Sequence, residues 1–361
     1  MQQKKRNSIM IMKQKKLHIK TRKRVRTFTR RQSIGLVLGL AGIALAFLFA
    51  YLFFNRLHKA ENVQSAGENV SASSTSPVML NERDLLTGVF VEHAKPNKQI
   101  YWVMIDEHVD ARPQTGVDQA FLVIEAPVEA GIPRLLAFFS ADQKIDKIGP
   151  VRSARPYFVD WVNEFDALYA HVGGSNEALD KISTGITFDL NQFWHDAQFW
   201  RAQDRYAPYN VYTSTDLLGE YVQKKKDSGH LSNPLYGVWK FKDADALPDG
   251  VRQKFSIVYF APEYITTWSF DSSVKGYVSN NASVVREDKT STQVIANNVA
   301  VVLTDITVMD KIGRRKIRTI GTGKAFVFQD GKKINGTWKK PSITERLRFF
   351  DAKGEEISMN A

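Results

Sequence analysis

A chain of 361 residues without a single cysteine has no disulfides, no thiol catalysis, no thiolate metal site and no residue for a lipid-modified N-terminal cysteine. Its net charge of +12 would by itself suggest a nucleic-acid binder, but the excess is confined to one end. Residues 1–33 hold 13 Lys or Arg and no Asp or Glu, whereas the remainder carries 37 cations against 38 anions, so nucleic acid is not expected as a partner.

The basic tail runs into 21 uncharged residues, Ile34 to Phe54. At about 1.5 Å per helical residue such a run spans roughly 30 Å, the thickness of a bilayer core. The expectation is a single transmembrane helix over 34–54 with the tail 1–33 cytoplasmic. The chain is then a single-pass plasma-membrane protein whose domains are extracytoplasmic, with the membrane as a partner. A cleaved signal peptide would carry a shorter apolar stretch of about 7–15 residues and a small-residue cleavage site. Here Phe53, Phe54, Asn55 and Arg56 follow instead. Residues 55–84, including S-A-S-S-T-S-P at Ser71–Pro77, read as a flexible spacer.

From residue 85 to 249 strand and helix signals alternate, which predicts an α/β or α+β domain on a mixed sheet. The apolar runs Gln99–Ile105, Ala120–Glu125 and Arg134–Phe139 suit strands buried on both faces. Pro156 opens a helix carrying Tyr157, Phe158, Trp161, Val162 and Phe165 on one face. Ala167–Val172 is strand-like and Asn176–Ile182 a short helix capped by Ser175. Thr213-x-x-Asp216 reads as a capping box for a helix ending in Lys224, Lys225 and Lys226. Residues 250–361 lack a helical pattern and predict a small all-β domain, with Asp330-Gly331 turning a hairpin.

Four segments of the first domain concentrate polar residues. Asp106, at the end of a buried strand, heads D-E-H-V-D-A-R-P-Q-T-G, where Asp106, His108 and Asp110 suit a metal or acid–base work, with an Asp-rich turn the commoner alternative. Glu125, Glu129 and Arg134 form a second group, either an acid pair or ion-pair partners of arginines. Arg152, Ser153 and Arg155 precede a helix start, where guanidinium forks and free N–H groups suit an anion; the alternative is pairing with internal acids. His171, Gly173 and Gly174 form a strand-to-helix turn that lets a backbone approach a ligand, although a histidine at a strand end is more commonly a packed structural group than a catalytic one. Asp106, Arg112 and His171 are thus the catalytic candidates. Arg152, Ser153, Arg155, Glu125, Glu129, Arg134, Gly173 and Gly174 are the ligand-binding candidates. No metal site is expected and the cofactor is left open.

Together the motifs M-I-D-E-H-V-D-A-R-P-Q-T-G, E-A-P-V-E-A-G-I-P-R, K-I-G-P-V-R-S-A-R-P-Y-F-V-D, Y-A-H-V-G-G-S and A-P-Y-N-V-Y-T-S resemble the YerB-like lipoprotein family, bacterial proteins of unknown function. G-T-G-K-A-F-V-F-Q-D-G-K-K-I-N-G-T-W-K-K at Gly321–Lys340 resembles that family's second domain. The chain departs from the family's pattern in lacking the lipidated cysteine, in reading E-A-G-I-P-R at Glu129–Arg134, and in reading P-Y-N at Pro208–Asn210. The resemblance implies a bacterial cell-envelope location and supplies no reaction. Two functions fit: an envelope protein that binds a partner protein or an anionic wall polymer, and an envelope enzyme acting on a phosphate-bearing or anionic substrate at an Asp/Arg/His cleft.

Overall fold

The computed structural model describes residues 82–92, 94, 98–228, 239–245, 252–259, 261–281, 284–285 and 293–361. The basic tail, the 34–54 segment and nearly all of the spacer lie outside these residues. Among the described residues no helix is long and apolar enough to cross a membrane.

The first domain is built on five strands: β1 (Ile100–Asp106), β2 (Leu122–Pro127), β3 (Pro133–Ser140), β4 (Leu168–His171) and β5 (Asp189–Asn191). Their order is β2-β3-β1-β4-β5, with β3 antiparallel to β1 and β2, and β4 and β5 parallel to β1. This is a mixed sheet, as the alternation of signals predicts. Every residue of β1 is buried. Alternate side chains therefore serve two cores. Ile100, Trp102 and Met104 pack with helices α1 (Pro156–Val162) and α2 (Asn176–Ser183). Tyr101, Val103 and Ile105 pack with Leu218, Tyr221 and Val222 of α3 (Thr215–Asp227). The cap of α3 is Ser214, whose Oγ accepts the Leu217 N–H at 3.2 Å. Thr213 is instead turned to the Gln198 carbonyl at 2.8 Å, so the cap is displaced by one residue and the expected Thr213–Asp216 capping box does not form.

The second domain is β-rich, with one short 3₁₀ turn at Pro262–Tyr264. Its main strands are β6 (Lys254–Ile257), β7 (Thr266–Asp271), β8 (Gly276–Asn281), β9 (Asn298–Val302), β10 (Ile306–Val308), β11 (Arg315–Ile317), β12 (Gly321–Gln329), β13 (Lys332–Lys340) and β14 (Arg348–Phe350). One sheet runs β6-β7-β8, a second β9-β12-β13-β14, and β10-β11 is a separate ribbon. Asp330 and Gly331 both adopt positive φ, 51° and 60°, the conformation a two-residue hairpin turn requires. Phe255 of the first sheet stacks on Phe328 of the second at 3.6 Å, joining the two in one core.

Buried polar bonds tie the domains together. Lys340 pairs with Glu164 at 3.0 Å, and Thr319 donates to Asp160 at 2.6 Å. Arg346 lies between the rings of Phe165 and Trp239, 3.7 and 4.3 Å from their centroids. Ile317 of β11 enters the first domain's core, and Arg315 donates to the Val128 carbonyl at 2.7 Å.

Candidate functional site

Because β1, β4 and β5 are parallel, their carboxyl ends bring Asp106, His171 and Asn191 to one edge of the sheet. β3 runs the other way and starts there, so Arg134 stands beside Asp106 in register. Ligand sites in open α/β sheets favour this end. The sequence candidates are gathered here, but most are committed to one another.

Arg152 Nε lies 2.7 Å from Asp106 Oδ2, close but off hydrogen-bonding angle, and its guanidinium sits 5.6 Å from the Tyr209 ring centre. Asp106 Oδ1 accepts the His108 N–H at 3.2 Å. Arg155 forms a two-pronged fork on Glu129, with Nε and Nη2 each 2.6 Å from a carboxylate oxygen. Burial would push the Glu129 carboxyl up, but the fork and charge of Arg155 outweigh it and hold the group below the usual carboxylate range. Both arginines therefore take the internal-acid alternative, with Asp106 and Glu129 as partners. Glu125 is not paired with Glu129. It accepts from Thr266 of the second domain at 3.3 Å.

The three catalytic candidates are likewise engaged. His171 is fully buried, with Nδ1 2.7 Å from the Gly173 carbonyl and Nε2 2.6 Å from Asp189 Oδ1, so neither ring nitrogen faces solvent. Arg112 reaches Glu107 at 3.2 Å, donates to the Glu263 carbonyl at 2.9 Å and lies over Tyr264. It serves the contact between domains. Asp106 is held by Arg152. Gly173, at φ +56°, is needed for packing: a Cβ there would meet the Phe193 ring at 2.6 Å. A Cβ on Gly174 would press on Leu179 and Ala154 at 3.2 and 3.3 Å. Both glycines are therefore required for close packing of the turn.

Arg134 differs from the other arginines. It is 5 % exposed and makes one hydrogen bond, Nη1 to the Ser153 carbonyl at 2.7 Å, while its Nε has no partner. Burial and then the charge of Arg155 push its guanidinium down to about 10, against the pull of Asp106. Arg134 is thus a buried cation with no carboxylate in hydrogen-bond contact.

Next to it is an open cleft of about 320 Å³, lined by Glu129, Ser153, Arg155, Gly174, Ser175, Asn176, Ile312 and Arg314. Ser175 caps α2 as expected, accepting the Ala178 N–H at 3.4 Å. The N–H groups of Asn176 and Glu177, the first of α2, have no acceptor among the described residues. Ile312 and Arg314 come from the turn between β10 and β11 in the second domain. Sequence reasoning did not find them. Nothing local in D-K-I-G-R-R shows that this turn closes over the first domain. Among the described residues no group of three or more metal-ligating side chains is present.

Comparison with known proteins places the chain. Residues 86–228 match the family description "Protein of unknown function (DUF3048) N-terminal domain", and residues 255–361 match its C-terminal domain. The "Putative lipoprotein YerB" of Bacillus subtilis (strain 168) is 32 % identical over 260 residues, covering 71 % of this chain and 77 % of that protein. The crystal structure of YerB protein from Bacillus subtilis superposes with a TM-score of 0.66 at 27 % identity, covering 77 % of this chain and 93 % of the other. These findings correct the single-pass plasma-membrane localisation. The relative is described as a "Putative lipoprotein", a different mode of attachment. The physical reason is that a basic start followed by an apolar run is common to spanning helices and to export leaders, so the run alone does not specify the anchor. The chain belongs to the YerB-like family of unknown function, with its mixed α/β first domain and β-rich second domain.

Proposed function

We propose that this chain is an extracytoplasmic envelope protein that binds an anionic partner, such as a phosphate-bearing wall polymer, in the cleft between α2 and the β10–β11 turn. The observation that carries this reading is the charge balance around the cleft. Arg155 and Arg314 line it, and the under-partnered Arg134 lies behind Ser153. Glu129 answers Arg155 and Asp310 answers Arg314, so Arg134 is the surplus cation. Asn176, at the start of α2, lines the cleft, and the free N–H groups of a helix start favour negative charge. The basic, apolar start of the chain and the lipoprotein description of the relative support the envelope location.

Titration with inorganic phosphate and with a phosphate-bearing wall polymer tests the reading. Arg314→Ala removes a half-exposed cation that contributes little to the fold, so it should weaken binding by about 1.5–3 kcal/mol without moving the melting temperature. Glu129→Gln frees the Arg155 fork and should tighten binding. Unchanged affinity in both variants would overturn the proposal.

A further inference from the structure

The β10–β11 ribbon leaves one edge unpaired. Arg318 N–H donates to the Asp305 carbonyl at 3.0 Å, and Met309 N–H to the Arg314 carbonyl at 2.7 Å. The Thr307–Lys316 pair lies midway between them in the register. Antiparallel ladders alternate bonded and non-bonded pairs. Asp305, Thr307 and Met309 therefore turn their backbone groups towards β11, and Ile306 and Val308 turn theirs away. No bond engages the Ile306 or Val308 backbone, and β10 pairs with no other strand among the described residues. The outer edge thus offers two N–H donors and two carbonyl acceptors. The opposite edge of the ribbon is covered, since Ile317 is buried against the first domain.

The side chains along this edge are apolar and accessible. Ile306 and Val308 share a face and are 45 % and 56 % exposed, and Met309 and Ile312 follow at 56 % and 69 %. Natural edge strands are commonly blunted by a short length, a charge, a proline or a bulge. β10 is short, three residues, but reads Ile-Thr-Val and carries no charge, proline or bulge. The ribbon is also basic. Residues 305–318 hold Lys311, Arg314, Arg315, Lys316 and Arg318 against Asp305 and Asp310, a net of +3. Both acids are already held, by Arg318 and Arg314. Two copies of so basic an edge repel each other, whereas an acidic partner is drawn to it.

We propose that β10 is a docking edge for an extended acidic segment of another polypeptide. The segment adds as a strand, with apolar side chains at alternate positions on the Ile306/Val308 face and carboxylates on the Thr307/Lys316 face. Docking here differs in chemistry from the anion-binding reading of the cleft, since it needs backbone hydrogen bonds and not a phosphate, although Ile312 and Arg314 of the connecting turn border both.

The test uses the full chain and three short synthetic peptides: one alternating Val and Glu, one with Lys in place of Glu, and one Val/Glu peptide with methylated backbone nitrogens. The first should slow amide exchange at Ile306 and Val308, and the other two should not. Val308→Pro deletes an outward donor and leaves the ladder bonds of Thr307 and Met309 in place. It should weaken binding about tenfold, the scale of lost edge hydrogen bonds. Lys316→Glu, an exposed change that does not threaten the fold, should weaken it similarly by charge. Absence of protection by the Val/Glu peptide, or equal binding of its methylated form, would overturn the proposal. So would protection that grows with protein concentration alone, which would mean that a second copy occupies the edge.

Discussion

Lys340→Met should be among the most damaging single substitutions outside the apolar cores. The Lys340 and Glu164 side chains are 0 % and 3 % exposed and meet at 3.0 Å across the domain interface. The ammonium group also donates to the Ile343 and Glu345 carbonyls at 3.1 and 2.8 Å, so it serves one carboxylate by charge and two backbone acceptors by hydrogen bonds. Methionine fills similar space but supplies no donor. It leaves a buried carboxylate that accepts the Leu347 N–H at 3.0 Å, and two carbonyls without their partner. Burial pushes Glu164 up and Lys340 down, in each case against the attraction of the other, so the intact pair is no large source of stability. Breaking one side is another matter, with a cost of about 3–5 kcal/mol. At about 2–4 °C per kcal/mol for a chain of this size, the melting temperature should fall by roughly 6–20 °C. The folded Glu164 carboxyl lies above its unfolded value of 4.5, so its penalty is full at high pH and is relieved as pH falls towards that value. The deficit of the variant should therefore shrink below neutrality. Removing both charges in Glu164→Leu with Lys340→Met should recover much of the loss. Urea unfolding followed by tryptophan fluorescence measures all three proteins. A loss under about 1 kcal/mol, or a double variant no better than the single, would refute the reasoning.

Two further outcomes follow from the geometry. Glu129, held below its usual value of 4.5 by Arg155, contributes stability that is present above 4.5 and lost as pH falls through its lower folded value. Acid unfolding of Arg155→Met should consequently show a flatter pH dependence below 4.5 than the parent, and identical slopes would argue against the fork. Gly336→Ala would set a Cβ 2.1 Å from the Phe350 carbonyl oxygen, between β13 and β14. The backbone must shift, and a cost of about 1–3 kcal/mol is expected in thermal unfolding, with faster amide exchange along β14.

How much of this was legible in the sequence follows from the range of each signal. Strand β1, helices α1 and α2, the Ser175 cap and the Asp330-Gly331 turn all appear where local periodicity and turn chemistry put them. Such patterns depend on neighbours a few residues apart, so the α/β and β-rich halves could be read directly. The cap of α3 was missed by one residue because Thr213 and Ser214 are locally equivalent. Only a distant carbonyl, that of Gln198, draws Thr213 away. An Asp/Arg/His cleft was expected from Asp106, Arg112, Arg152, Arg155 and His171, whereas Arg134 was grouped apart, with Glu125 and Glu129. Their pairing was left open, because Arg155 and Glu129 are 26 residues apart and meet only through the fold. His171 could be placed at a strand end, yet its partner Asp189 sits on a neighbouring strand, and that contact makes it a buried structural group. The cleft needs Ile312 and Arg314 from the other domain, and the open edge of β10 needs the ladder register. The amino-acid order determined the elements and their faces; the tertiary structure decided which charges neutralise one another and which are left over, because electrostatic partners are chosen by distance in space and not along the chain.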